Sequence, residues 1–236
     1  MTNYQIKLLN PEFFFYHIEK CAGSSIRKIL LNYFTKFIDI NEIYYPDNYN
    51  NINLLNDIDY IKLINLYGES FFKNKRIIMC HTNFIPSEYF SLTIIRNPID
   101  RIISHYYAFD YDNYKLKLHE LNKKDYETYI IQYGNLIVNR ISGGDNSDKA
   151  YQKAINNIKN ISYIMISENL DEEIIELNNI LNKKFNVNYK MDILHENKNN
   201  SKIIFKEDIE LIMKYKEQLK DIDFYNFVVS FKKNKL

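Results

Sequence analysis

The residues best suited to chemistry lie between His17 and Ser25, where Glu19-Lys20-Cys21-Ala22-Gly23-Ser24-Ser25 follows the apolar run Phe13-Phe14-Phe15-Tyr16-His17-Ile18. A glycine and two serines at the start of a helical pattern offer backbone N–H groups, hydroxyls and a positive dipole end. Together these suit a phosphate. Lys20 adds a point charge that can follow negative charge developing on a leaving oxygen. An ordinary strand-to-helix turn with capping serines would carry the same residues. The nucleotide triphosphate loop, G-x-x-x-x-G-K-S/T, is absent, because here the lysine precedes the glycine.

A second group follows a later apolar run, Phe90-Ser91-Leu92-Thr93-Ile94-Ile95. Arg96 ends that run, and Ser104 lies eight residues on, about two turns into the next helix. Both could contact one anion near the helix start, Arg96 by its fork and Ser104 by its hydroxyl. A surface salt bridge and a small packed residue are the plain alternatives. Arginine is scarce, with five in the chain, so the pair Arg96 and Arg101 in one short segment stands out.

The elements that position these groups can be read from periodicity. Residues 13–18 form a continuous apolar run, as in a strand buried on both faces. Ile26, Ile29, Leu30, Tyr33, Phe34 and Phe37 then recur at helical spacing, with Ser24 or Ser25 as the expected cap. Residues 39–53, rich in Asn, Asp and Tyr, read as a surface loop, and 54–66 as an amphipathic helix. Arg76-Ile77-Ile78-Met79-Cys80 is a second strand ending at His81, and residues 90–95 are a third. Pro98 suits the first turn of the following helix. Residues 113–160 read as helices broken at Gly143-Gly144, and 161–166 as a fourth strand. Asp171 to Leu181 and Glu207 to Phe231 read as helices separated by a polar stretch at 195–202. Strands alternating with helices imply an α/β fold: a single domain over residues 1–236 with a central parallel sheet covered by helices on both faces.

Composition narrows the function. The chain has 236 residues, 46% hydrophobic and 26% charged, near the globular average. A formal net charge of +1 removes the usual electrostatic argument for nucleic acid or an anionic membrane. Two cysteines, Cys21 and Cys80, exclude a disulfide scaffold and a multi-cysteine zinc site. No signal peptide or membrane span is expected, and the plain reading is a cytoplasmic protein. Asn, Ile, Lys and Tyr are abundant enough to reflect genome bias. Core packing is therefore the safer reading of Tyr106, Tyr107, Tyr111 and Tyr114, although aromatics could also line an acceptor groove.

Residues 15–25 resemble the 5′-phosphosulfate loop of carbohydrate sulfotransferases, H-I-P-K-T/C-A/G-G-S/T-S. Residues 94–107 resemble their 3′-phosphate motif, R-D/N-P-x-x-R-x-x-S-x-Y-Y. Leu136 to Gly143 is similar to the N-x-x-x-x-L/I-S-G region of the membrane-associated and heparan 2-O-sulfotransferase branch. Ile166-Ser167-Glu168-Asn169-Leu170-Asp171-Glu172 is similar to the strand and helix that follow it. Glu19 departs from the pattern, placing a negative charge where proline is usual. Cys21 and Ser24 depart more mildly.

This resemblance implies a P-loop NTPase-like sulfotransferase fold. It also implies in-line, metal-independent transfer of a sulfuryl group from 3′-phosphoadenosine 5′-phosphosulfate (PAPS) to a hydroxyl of a glycan or polysaccharide precursor. Lys20 would neutralise the leaving phosphate oxygen, and Cys21, Ala22, Gly23, Ser24 and Ser25 would hold the 5′-phosphosulfate. Arg96 and Ser104 would bind the 3′-phosphate, with Ser201 and Lys202 in a late segment closing over it. His81 ends the second strand at the same sheet edge as Lys20, which makes it the expected general base, with an unperturbed pKa near 6.5 suited to the task. Glu69 is the rival. His105 is expected to pack, and His17, His119 and His195 have no assigned chemistry. A Mg-dependent nucleotide phosphotransferase and a catalytically silent nucleotide-binding module are the alternatives. The first would need a Ser or Thr after the loop lysine, where Cys21 stands.

Overall fold

The computed structural model describes residues 11–44, 74–86, 88–193 and 205–234. Five strands form one parallel sheet in the order β2-β3-β1-β4-β5. They are β1 (Phe13–Tyr16), β2 (Ile43–Tyr44), β3 (Ile77–Cys80), β4 (Phe90–Ile95) and β5 (Tyr163–Ile166). All residues of β1, β3 and β5 are buried. That is why these strands read as continuous apolar runs: neither face meets water. Tyr16 pairs with Cys80 on one side and Thr93 on the other, so β1 lies in the middle and its exit loop is flanked by the ends of β3 and β4.

Helices flank the sheet as α1 (Gly23–Phe34), α2 (Pro98–His105), α3 (Tyr111–Tyr114), α4 (Lys123–Tyr133), α5 (Leu136–Ile141), α6 (Ala150–Ile158), α7 (Leu170–Phe185), α8 (Lys206–Met213) and α9 (Lys220–Lys233). Asn97 caps α2 by accepting the Ile99 N–H at 3.0 Å, and Pro98 occupies its first position. A π-helical turn, Tyr106–Asp110, joins α2 to α3. The break at Gly143-Gly144 is a helix stop: Gly143 N–H bonds Arg140 O at 3.2 Å and Gly144 N–H bonds Asn139 O at 2.8 Å. Both glycines have φ above 80°, the left-handed geometry such a stop requires. A second, smaller core lies away from the sheet, where Ile102, Tyr106, Leu118, Ile130, Ile212 and Leu219 pack together.

The structure corrects several expectations. Residues 39–53 are not all loop, because Ile43–Tyr44 adds an edge strand beside β3, too short for a period to register. The segment 207–231 is two helices, since the chain turns through Lys216–Gln218. Helix α7 runs from Leu170 to Phe185, longer than expected; its first turn is acidic and its last turn basic, which complements the dipole. Neither serine caps α1, which starts instead from Ala22 in left-handed backbone with no side-chain cap. The expected helix at 54–66 lies outside the described residues.

Candidate functional site

The loop leaving β1 carries two non-glycine residues in left-handed backbone, Lys20 and Ala22, each with φ 63°. Such a conformation costs about 1–2 kcal/mol per residue. The first main-chain bond of α1 runs from Ile26 N–H to Ala22 O at 3.3 Å. The N–H groups of Gly23, Ser24 and Ser25 precede that bond, so they face outward at the positive end of the helix. Side-chain caps would have occupied these donors, and none is present. The strained turn therefore leaves these N–H groups without a side-chain cap, as an anion site requires.

Gly23 is needed for space. A Cβ there would stand 1.8 Å from Cδ2 of His17. His17 is buried, and its ring packs against that of His81, with centroids 3.8 Å apart and the planes tilted by 30°. Burial, then the nearby charges of His81, Arg27 and Lys20, holds the His17 imidazole well below its ordinary pKa, so it is neutral. His81 departs from the expectation of an unperturbed group. Burial lowers its pKa to about 4, opposed by Glu19 and assisted by Arg27 and Arg140.

Glu19 does not repel the anion site, because Arg140 of α5 neutralises it. Arg140 Nε bonds Glu19 Oε2 at 3.3 Å and Nη2 bonds Oε1, making a two-pronged pair. Despite burial, Arg140 and then His81 keep the Glu19 carboxyl below the usual range. Arg140 Nη1 also donates to Asn83 Oδ1 at 3.3 Å, and Arg140 O accepts from Phe84 N–H at 2.8 Å. One residue thus ties the β1 loop to the loop that carries His81. The position of α5 is set in turn by Asp221 of α9, whose carboxylate accepts the Ile137 and Val138 N–H groups at 2.9 and 2.8 Å.

Arg96 at the end of β4 reaches the same loop, with Nη1 3.3 Å from the Lys20 carbonyl. Ser104 is buried on α2. One turn earlier, Arg101 is completely buried and meets Asp221 at 3.6 Å. Burial raises the Asp221 pKa to about 6, with Arg101 opposing. Lys20 Nζ lies 5.3 Å from the ring centre of Phe109, an exposed side chain on the π-helical turn. His105 packs as expected: its Nδ1 is 2.6 Å from the Tyr129 hydroxyl, and burial lowers its pKa to about 4.

The structure therefore brings Lys20, Cys21, Ala22, Gly23, Ser24, Ser25, His81 and Arg96 to one sheet edge, with Ser104 buried on the helix that follows Arg96. Ser201, Lys202, Glu69 and His195 lie outside the described residues. His119 belongs elsewhere, pairing with buried Asp208 at 2.6 Å. Tyr106 is core, and Tyr107 bonds Asp208 at 2.7 Å. Tyr111 and Tyr114 are exposed. Burial pushes the Cys21 thiol up to about 12, which keeps it protonated. Arg27, Arg140 and Phe109 were not anticipated. Arginine scarcity was the available signal, since four of the five arginines converge here, where a planar multidentate cation is wanted. Among the described residues, no three His, Cys, Asp or Glu side chains come together as a metal ion would need. No helix among them is long and apolar enough to cross a membrane.

A strained loop at the centre of a parallel sheet, flanked by a histidine and an arginine from the neighbouring strand ends, occupies the carboxyl edge where open α/β sheets bind ligands. Residues 10–224 match the model of the Sulfotransferase family, and the chain belongs to that family. A sulfotransferase from Alicyclobacillus acidocaldarius, known from its crystal structure, is 14% identical over 92% of this chain and 95% of its own, with a TM-score of 0.48. No curated protein matches the sequence.

Proposed function

We propose that the protein moves a sulfuryl group from PAPS to a hydroxyl of a glycan or glycan precursor, as a member of the carbohydrate branch of the family, without a metal ion. The observation that carries this reading is the meeting of the two sequence motifs through Arg96 and the Lys20 carbonyl. The residues present fit the donor. The N–H groups at 23–25 and the Ser24 and Ser25 hydroxyls would hold its 5′-phosphosulfate, and Arg96 with Ser104 its 3′-phosphate. When bound, the donor supplies the sulfuryl group and a phosphate as leaving group.

The chain's own residues then do electrostatic and positional work. Lys20, from the same loop, would supply positive charge on the leaving side, where negative charge collects. His81 is the general base. Its imidazole is neutral above about pH 5 and so ready to accept a proton across the physiological range. The acid limb of the rate profile is therefore expected well below pH 6.5.

Calorimetry tests the donor half without magnesium, comparing 3′-phosphoadenosine 5′-phosphate with adenosine 5′-phosphate and ATP. A strong preference for the 3′-phosphorylated ligand, lost in Arg96→Ala, is expected. Binding of ATP only with magnesium would replace this reading with phosphoryl transfer. Retained ligand binding with no transfer to any acceptor in the wild type would leave a silent nucleotide-binding module.

A further inference from the structure

Phe109 is a large apolar side chain left 48% exposed beside Lys20, and its neighbours in the chain hold it there. The Tyr111 N–H bonds Tyr106 O, five residues back, so the chain makes a π-helical turn, a form frequent at functional sites. The flanking side chains tie this turn down. His105 Nδ1 lies 2.6 Å from the Tyr129 hydroxyl, the Tyr106 hydroxyl donates to Leu116 O at 2.7 Å, and that of Tyr107 donates to Asp208 at 2.7 Å. The His105 ring also packs on that of Phe109, with centroids 4.9 Å apart. Lys20 Nζ stands 5.3 Å from the centre of the Phe109 ring, within cation–π reach.

A lysine has a flexible four-carbon stem, and fixing its ammonium costs rotamer entropy. A carboxylate would fix it but would also neutralise its charge. The adjacent carboxylate, Glu19, is committed elsewhere, because both of its oxygens bond Arg140. The face of an exposed ring attracts a cation only about two- to fivefold over water, and it leaves the full charge to an incoming anion. Resting on the assignment of Lys20 to the leaving phosphate, we infer that Phe109 is a positioning residue for Lys20. Its ring face confines the ammonium to the loop before the donor binds, so part of the ordering cost is met in advance. The effect comes from the negative face of the ring rather than from its bulk. It therefore follows the electron density of the ring and disappears without the cation.

The test is calorimetry of the full chain with 3′-phosphoadenosine 5′-phosphate as probe, with each fold checked by thermal melting. Position 109 carries Leu, Tyr, Trp or phenylalanines with one, two or five ring fluorines, which drain the ring face at nearly constant size. Affinity should fall about two- to fivefold in Phe109→Leu, fall stepwise with fluorine count, and be kept in Phe109→Tyr and Phe109→Trp. In a Lys20→Met background the same substitutions should change nothing. A flat fluorinated series, or equal losses with and without Lys20, would make Phe109 a packing residue and overturn the inference. A second readout needs no ligand and so stands apart from the donor assignment. The chain has no tryptophan, so Phe109→Trp supplies a single emitter. Adding Lys20→Met should shift its emission by removing the ammonium from the ring face, and unchanged emission would overturn the inference even where the probe does not bind. A wild type that binds adenosine 5′-phosphate as tightly as the probe, with the emission shift present, would sink the donor assignment and leave the Lys20–Phe109 pairing standing.

Discussion

Two arginine–glutamate clusters sit at opposite ends of the same sheet. At the amino edge, Arg76 bonds Glu12 at 2.5 Å and Glu42 at 3.3 Å, with side chains 37–43% exposed. These residues immediately precede β3, β1 and β2, so strand order alone lines them up. At the carboxyl edge, Arg140 comes from α5 and reaches Glu19 across 121 residues of chain, with exposures of 13% and 16%. The first cluster is a solvated clasp that water could largely replace. The second fixes two loops, sets the charge around an imidazole and would leave a buried charge behind if broken. The same pair of residue types does different work according to solvent access.

The largest expected effect lies in the chemistry of the carboxyl edge. His81→Ala should leave ligand binding intact and reduce transfer by about 10²–10⁴-fold, measured with saturating donor. Near-normal turnover would remove His81 from the mechanism.

Stability separates the two clusters next. Arg140→Met should cost about 3 kcal/mol in chemical denaturation because Glu19 keeps a buried charge, and adding Glu19→Gln should return most of it. Gly23→Ala forces the His17 ring away and should cost roughly 1–3 kcal/mol. The double variant with His17→Ala should recover part of that loss, and equal losses in both would mean that the ring is not the obstacle.

Acid should act mainly on the carboxyl edge. His17, His81 and His105 have folded pKa values below the unfolded value, to about 4 for the last two. Their contribution is present above pH 6.5 and lost as pH falls toward 4, at up to about 1.4 kcal/mol per pH unit for each group. Asp221, raised to about 6, opposes this in the same window because its protonated form suits the fold. The melting temperature should fall between pH 6.5 and 4, and fall less in His105→Gln. A flat profile would contradict buried neutral imidazoles. Smallest of all, Arg76→Met should cost under about 1 kcal/mol and leave turnover unchanged. A loss like that of Arg140→Met would erase the contrast between the edges.

Much of this was legible in the sequence because it is local. An apolar run buried on both faces announces β1, β3, β4 and β5 without knowledge of their partners. Asn97-Pro98 starts a helix through contacts within two residues, and Gly143-Gly144 stops one in the same way. The two-residue β2 escaped because its pairing comes from β3. The serine cap was misread because serine at a helix start has two uses, and the αL turn at Ala22 leaves the N–H row open.

The sequence by itself determined the strand–loop–helix units and the chemical types in the loop, since these depend on periodicity and on hydrogen bonds a few residues long. The tertiary structure decided which units adjoin. Placing β1 between β3 and β4 brings His81 and Arg96 to either side of Lys20. Packing α5 over that edge turns Glu19 from a misplaced charge into the partner of Arg140. Burial then moves His81 from an ordinary imidazole to one held neutral, because desolvation and neighbouring charge depend on three-dimensional surroundings.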